Sequence, residues 1–200
     1  MARAYRLGQR AAARTDRRQR VLEATGEVLW EQGFDATTLQ AVADRAGLSL
    51  KSLVRYFGTK DALLRACMKQ AVRDEEAQRD VPVGDVDAIA RTLADRYEKV
   101  GDWHVRNSHV EFRHPLLAEW MAAARRSHRD WLARAFAPWL DVGEPLREQR
   151  VMALFCATEL RSWWAVRHAF GHDVKTATAV MKGILEALVA SFRRPRRSKS

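Results

Sequence analysis

Between Thr37 and Lys60 the chain reads TTLQAVADRAGLSLKSLVRYFGTK, and this stretch leaves few folds open. Thr37 or Thr38 can open a short helix, Gly47 can close it, and Ser49 stands where a hydroxyl caps the next one. Leu39, Val42, Ala43 and Ala46 recur at helical spacing on one face of the first helix, as do Leu50, Leu53 and Phe57 on the second. Neither stripe can be buried without the other helix and a third one. The predicted layout is a helix-turn-helix. Lys51, Ser52 and Arg55 fall on the opposite face of the second helix, a basic and hydroxyl-bearing surface with the chemistry to enter a DNA major groove.

The remaining chain predicts an all-α fold of about nine helices. A first helix over 17–32 supplies the third packing partner through Val21, Leu22, Thr25, Val28 and Leu29, and Gly33 stops it. Thr59 caps a fourth helix that runs to about Gln78, and Pro82 with Gly84 marks a boundary. A fifth helix is expected from Val86 to Val100 with Gly101 as its stop, and a short sixth from Trp103 to Phe112, capped by Asp102. A long seventh runs from Pro115 to Trp139, an eighth from Pro145 to Phe170, and a ninth from Asp173 to Phe192. The last two are apolar on more than one side, so they present more surface than one subunit can bury, and a partner is implied.

From Arg17 to Met68 the sequence resembles the DNA-binding domain of the TetR (tetracycline-repressor-like) family of transcriptional regulators. The residues that carry the resemblance are Gly33-Phe34, Thr37-Thr38, Val42-Ala43, Ala46-Gly47-Leu48-Ser49, Leu53, Tyr56-Phe57, Thr59-Lys60 and Leu63-Leu64. It implies a basic arm (1–16), a helix-turn-helix domain (17–58), a linking helix (59–80), a ligand-binding and dimerisation domain (81–192) and a basic tail (193–200). Carried over position by position, it puts Leu50, Lys51, Ser52 and Val54 against base edges and Thr38, Arg55, Tyr56 and Lys60 against phosphate. Val54 departs from the family pattern, where tyrosine is common, and points to apolar readout there.

The resemblance further implies a homodimer on double-stranded DNA, reading an inverted-repeat operator and released by a small effector. Trp103, Phe112, Trp120, Met121, Phe155 and Trp163 are the candidates for an effector pocket, with ordinary core packing as the alternative for each. A hydrophobic or aromatic ligand is expected, cationic if a ring face is open to it. Leu160 and Trp164, with Val180, Met181, Ile184, Leu185 and Leu188, are the candidates for the dimer interface. An activator, or an architectural DNA-binding dimer without an effector, stands as the alternative function.

Charge sharpens this. The net charge is +10. Residues 1–20 hold seven Arg and one Asp, residues 193–200 four Arg and one Lys, and the 172 residues between carry 23 basic and 24 acidic side chains. Basicity therefore sits in the two ends, where an Arg-rich arm beside a helix-turn-helix can follow phosphates or a minor groove. An apolar fraction of 47% with 30% charged residues fits a globular protein and excludes disorder. No run approaches eighteen apolar residues, so neither a membrane span nor a secretion signal is expected and the location is read as cytoplasmic. Cys67 and Cys156 are too few for a disulfide framework. His104, His109 and His114 are spaced by five, about 140° apart on a helix, and Glu111-x-x-His114 has no second copy, so no metal site follows. There is no CxxC and no Gly-rich phosphate loop, and neither a cofactor nor catalysis is expected.

Overall fold

The computed structural model describes the backbone of residues 2–192 and the side chains of residues 12–192. It contains nine α-helices and no strand among the described residues. They are α1 (Ala2–Ala36), α2 (Leu39–Arg45), α3 (Leu50–Phe57), α4 (Lys60–Gln78), α5 (Val86–Ser108), α6 (Pro115–Ala135), α7 (Leu146–Ala157), α8 (Leu160–Trp164) and α9 (Val174–Phe192). The chain divides into two compact units, residues 1–75 with 111–120, and residues 76–110 with 121–200.

The first unit holds α1 to α3, α4 as far as Glu75, and the segment 111–120. Its core is Val21, Leu22, Ala24 and Val28 of α1, Val42 and Ala43 of α2, Leu53 of α3, and Leu63 and Cys67 of α4, so the stripes read from the sequence meet in one place except at Leu50, which is 39% exposed. The caps are where the residue types put them. Thr38 Oγ1 accepts from the Ala41 amide, Ser49 Oγ from the Ser52 amide and Thr59 Oγ1 from the Ala62 amide. Gly47 takes φ +64, and the Leu48 amide closes the turn by donating to the Ala43 carbonyl. Thr37 is buried and donates to the Gly33 carbonyl, beyond the helical part of α1. Helical backbone begins at Ala2, well before the start expected at Arg17. The side chains of residues 1–11 and the tail 193–200 lie outside the described residues.

The second unit packs α5 against α8 and α9, and α7 against α9. Ile89, Leu93 and Tyr97 of α5 meet Trp131, Leu132 and Phe136 around α6, Val151 and Leu154 of α7, Trp163 of α8, and Met181, Leu185 and Val189 of α9. Two boundaries differ from the sequence reading. Gly101 does not stop α5, which continues as one helix to Ser108 and absorbs most of the short helix expected over 103–112. A Cβ at Gly101 would lie 3.5 Å from Leu160 Cδ1, an ordinary contact, so the position is part of the helix and has room for a methyl group. The helix expected over 145–170 is interrupted at Thr158 and Glu159, which separate α7 from α8. Thr158 Oγ1 donates back to the Leu154 carbonyl, its own carbonyl accepts from the Tyr97 hydroxyl, and Glu159 turns extended to cap α8. A hydrogen bond from a residue 61 positions away in sequence leaves no local signal. After α8 the chain makes one π-helical turn over Ala165–Ala169.

Candidate nucleic-acid interface

The α3 surface is built by burial on its other side. Leu53 is fully buried, which fixes the rotation of the helix and turns Leu50, Lys51, Val54 and Arg55 outward, with Ser52 half-buried. No acidic residue occurs in α3. Ser49 Oγ lies 3.0 Å from Ser52 Oγ, so the cap also orients the Ser52 hydroxyl. Tyr56 is half-buried, and its hydroxyl accepts from Arg17 Nη1 at 3.1 Å while the Arg55 guanidinium stands 5.7 Å from its ring centre. The hydrogen bond from Arg17, ahead of the nearby positive charges, holds the Tyr56 hydroxyl below its ordinary pKa. Arg18 covers Phe57 in the same way at 5.7 Å.

Seven of the eight sequence candidates for DNA lie on α3 or just after it, and Thr38 lies at the start of α2. Thr38 is exposed at the N-terminus of α2, where free amides favour an anion. Lys60 is half-buried, and its ammonium donates to the carbonyls of Phe34 and Asp35 at 3.4 and 3.5 Å, closing the end of α1. Arg45, equally basic and near in sequence, is bound to Glu27 and Glu31 at 3.0 and 2.5 Å. Arg17 and Arg18 were missing from the sequence candidates because nothing local links α1 to a tyrosine 39 residues on. The Arg-rich composition of residues 1–20 was the available signal.

The candidates for effector and dimer contacts divide. Phe112 is 91% exposed on the turn where Glu111 takes the buried position, so it lines no enclosed pocket. Trp120 is half-buried and belongs to the first unit. Trp103, Met121 and Trp163 are buried and Phe155 half-buried in the second unit, where Trp163 packs 6.0 Å from the Tyr97 ring as part of the core. On α9, Met181 and Leu185 are 5% and 0% exposed, spent on the core of their own unit, and cannot also form a surface for a partner. Val180 and Ile184, at 43% and 46%, are exposed, while Leu160, Trp164 and Leu188 are half-buried.

A trihelical unit with a capped, outward-turned basic helix, in a chain whose second unit is also helical, has the layout of helix-turn-helix proteins. Residues 21–67 match the family described as bacterial regulatory proteins, tetR family. Over that stretch, about a quarter of the chain, the protein is similar to the DNA-binding part of these regulators. It is 43% identical over 58 residues to the HTH-type transcriptional regulator BetI of Burkholderia thailandensis, a match covering 29% of this chain and 30% of BetI, so less than a third of that relative's length is spanned. It is 28% identical over 177 residues to the HTH-type transcriptional repressor KstR of Mycobacterium tuberculosis, covering 81% of this chain and 77% of KstR. In three dimensions it resembles SmeT, solved as a triclosan complex, with a TM-score of 0.62 at 16% identity over 92% of this chain and 98% of SmeT. No helix among the described residues is long and apolar enough to cross a membrane.

Proposed function

We propose that this protein is a homodimeric transcriptional repressor that binds an inverted-repeat operator through α3 and leaves it when a small apolar effector binds the second unit. The observation that carries the reading is the α3 surface: Lys51 and Val54 exposed with the half-buried Ser52 hydroxyl between them, beside the cluster of Arg17, Arg55 and Tyr56, on a helix without an acid. Lys51 donates to guanine, Val54 and Leu50 meet thymine methyl groups, and Thr38, Arg55, Tyr56 and Lys60 hold phosphates that set the register. One such head reads too few base pairs to be selective, which is why a symmetric pair on successive major grooves, about 34 Å apart, is required.

Repression is supported by the likeness to KstR, and a small-molecule effector by the likeness to SmeT with triclosan. An effector acts only through unequal affinity for two dimer geometries. The dimer surface is the outer face of α9, where Val180 and Ile184 flank the exposed Gly183 and Ala187 and let a second helix approach closely.

Selection of bound sites from random duplexes by the purified protein tests the reading. A palindrome with half-sites one helical turn apart is expected, and Lys51→Ala should blur it. Recovery of unrelated sequences, with equal affinity for random DNA, would replace this function with an architectural one.

A further inference from the structure

The second unit contains a buried polar atom whose partner the chain does not supply. His128, on α6, is 8% exposed and lies between Trp131, stacked at 6.0 Å and 17°, and Phe155, tilted at 5.5 Å. Its Nε2 is 3.0 Å from Thr158 Oγ1, and that hydroxyl gives its own proton to the Leu154 carbonyl at 2.8 Å. Thr158 Oγ1 therefore accepts from His128, which fixes the tautomer: Nε2 carries the hydrogen and Nδ1 carries a lone pair. No hydrogen bond reaches His128 Nδ1. A buried acceptor without a donor is uncommon in folded proteins and asks for a group from outside.

The surroundings narrow what that group is. Burial, then the charges of Arg79 and Arg96, bring the His128 pKa down to about 3, so the ring is neutral in the cell and receives a hydrogen bond at Nδ1 instead of giving one. The same two guanidinium groups oppose an ammonium donor. A carboxylate has no proton to offer the lone pair. A neutral O–H satisfies Nδ1, and its oxygen, made more negative as it donates, sits favourably in the field of the two arginines. Indole and phenyl walls favour an aromatic body.

We propose that the effector is a neutral aromatic molecule bearing a hydroxyl group, and that this hydroxyl donates to His128 Nδ1. The inference rests on the reading that the second unit binds the effector, and it replaces a cationic ligand with a neutral one. A donor at Nδ1 also makes Nε2–H a stronger donor to Thr158, the residue at which α7 gives way to α8.

The test uses full-length protein labelled with 15N at histidine, without DNA, and three probes of one shape: 2-naphthol, its methyl ether and 2-naphthoate. Calorimetry is expected to give 2-naphthol at least tenfold tighter binding than either of the others. The His128 Nδ1 resonance should move with saturation by 2-naphthol and stay with the ether. His128→Phe should erase the preference for the hydroxyl, and His128→Gln, which restores an acceptor, should regain part of it. Equal binding of naphthol and its ether, an unmoved Nδ1 signal, a signal already that of a hydrogen-bonded nitrogen because a trapped water fills the place, or no binding by any probe would each overturn the proposal. Displacement of a selected operator is measured separately. Naphthol bound as described without release of DNA would remove the repressor reading and leave this site standing.

Discussion

Lys51 and Arg55 stand one turn apart on α3, and in the proposed complex they would face different parts of a duplex. Lys51 lies in the first turn of the helix, which on that proposal would reach base edges, and Arg55 near its end beside Tyr56, which would meet the backbone. Lys51→Ala is expected to cost about 1 to 3 kcal/mol on the preferred site and little on others, so preference relaxes. Arg55→Ala should weaken every sequence alike and flatten the salt dependence by about one unit. Fluorescence titrations at several salt concentrations separate the two. At the same scale, His104 and His128 are each brought down to about 3, chiefly by burial. Their folded pKa lies below the unfolded value near 6.5, so the unfolded chain binds the extra protons and stability falls as pH falls below about 6.5. Each contributes a slope of about 1.4 kcal/mol per pH unit in that window. Denaturant unfolding at pH 6.5 and 5.0 should show a marked loss, and a flat profile would mean that neither ring is held neutral. None of this is legible from residue types, because burial and an absent donor belong to three dimensions.

Two glycines that look alike in sequence serve opposite purposes at the scale of the element. Gly47 and Gly101 both follow an apolar-periodic run and both suggest the end of a helix. Gly47 has φ +64 and does end α2, so Gly47→Ala should destabilise by about 1 to 2 kcal/mol. Gly101 is helical, with Leu160 Cδ1 at ordinary contact distance from a Cβ placed there. Gly101→Ala should therefore leave α5 intact and stabilise it by about 0.5 to 1 kcal/mol. Paired denaturation curves decide both. The helix-turn-helix was readable because its caps, stripes and turn are all local, within 24 residues. The joint between α7 and α8 was not, because the hydroxyl of Tyr97 and the ring of His128 hold Thr158 from other helices.

At the scale of the molecule, α9 shows how much a pattern can promise and where it stops. Two apolar faces were visible, and a partner was inferred from their sum. Which face a unit keeps for itself depends on what α5 and α7 bring to it, and they claim Met181, Leu185 and Val189. Val180→Glu with Ile184→Glu should leave the fold and its thermal unfolding cooperative, since both side chains are exposed, and should give a monomer by sedimentation. Operator affinity would fall with it, because half-sites would be bound singly. A mutant that still sediments as a dimer would place the interface elsewhere.

The Lys60 ammonium rests on the last carbonyls of α1 when no phosphate is near. If Lys60 meets phosphate as proposed, it has this second home on leaving a duplex and gives up less than an ion that must return to bulk water, which favours the dissociated state. Counting positive groups near the groove thus overstates how firmly such a head is held, and part of the ease of its departure is written into the end of its first helix.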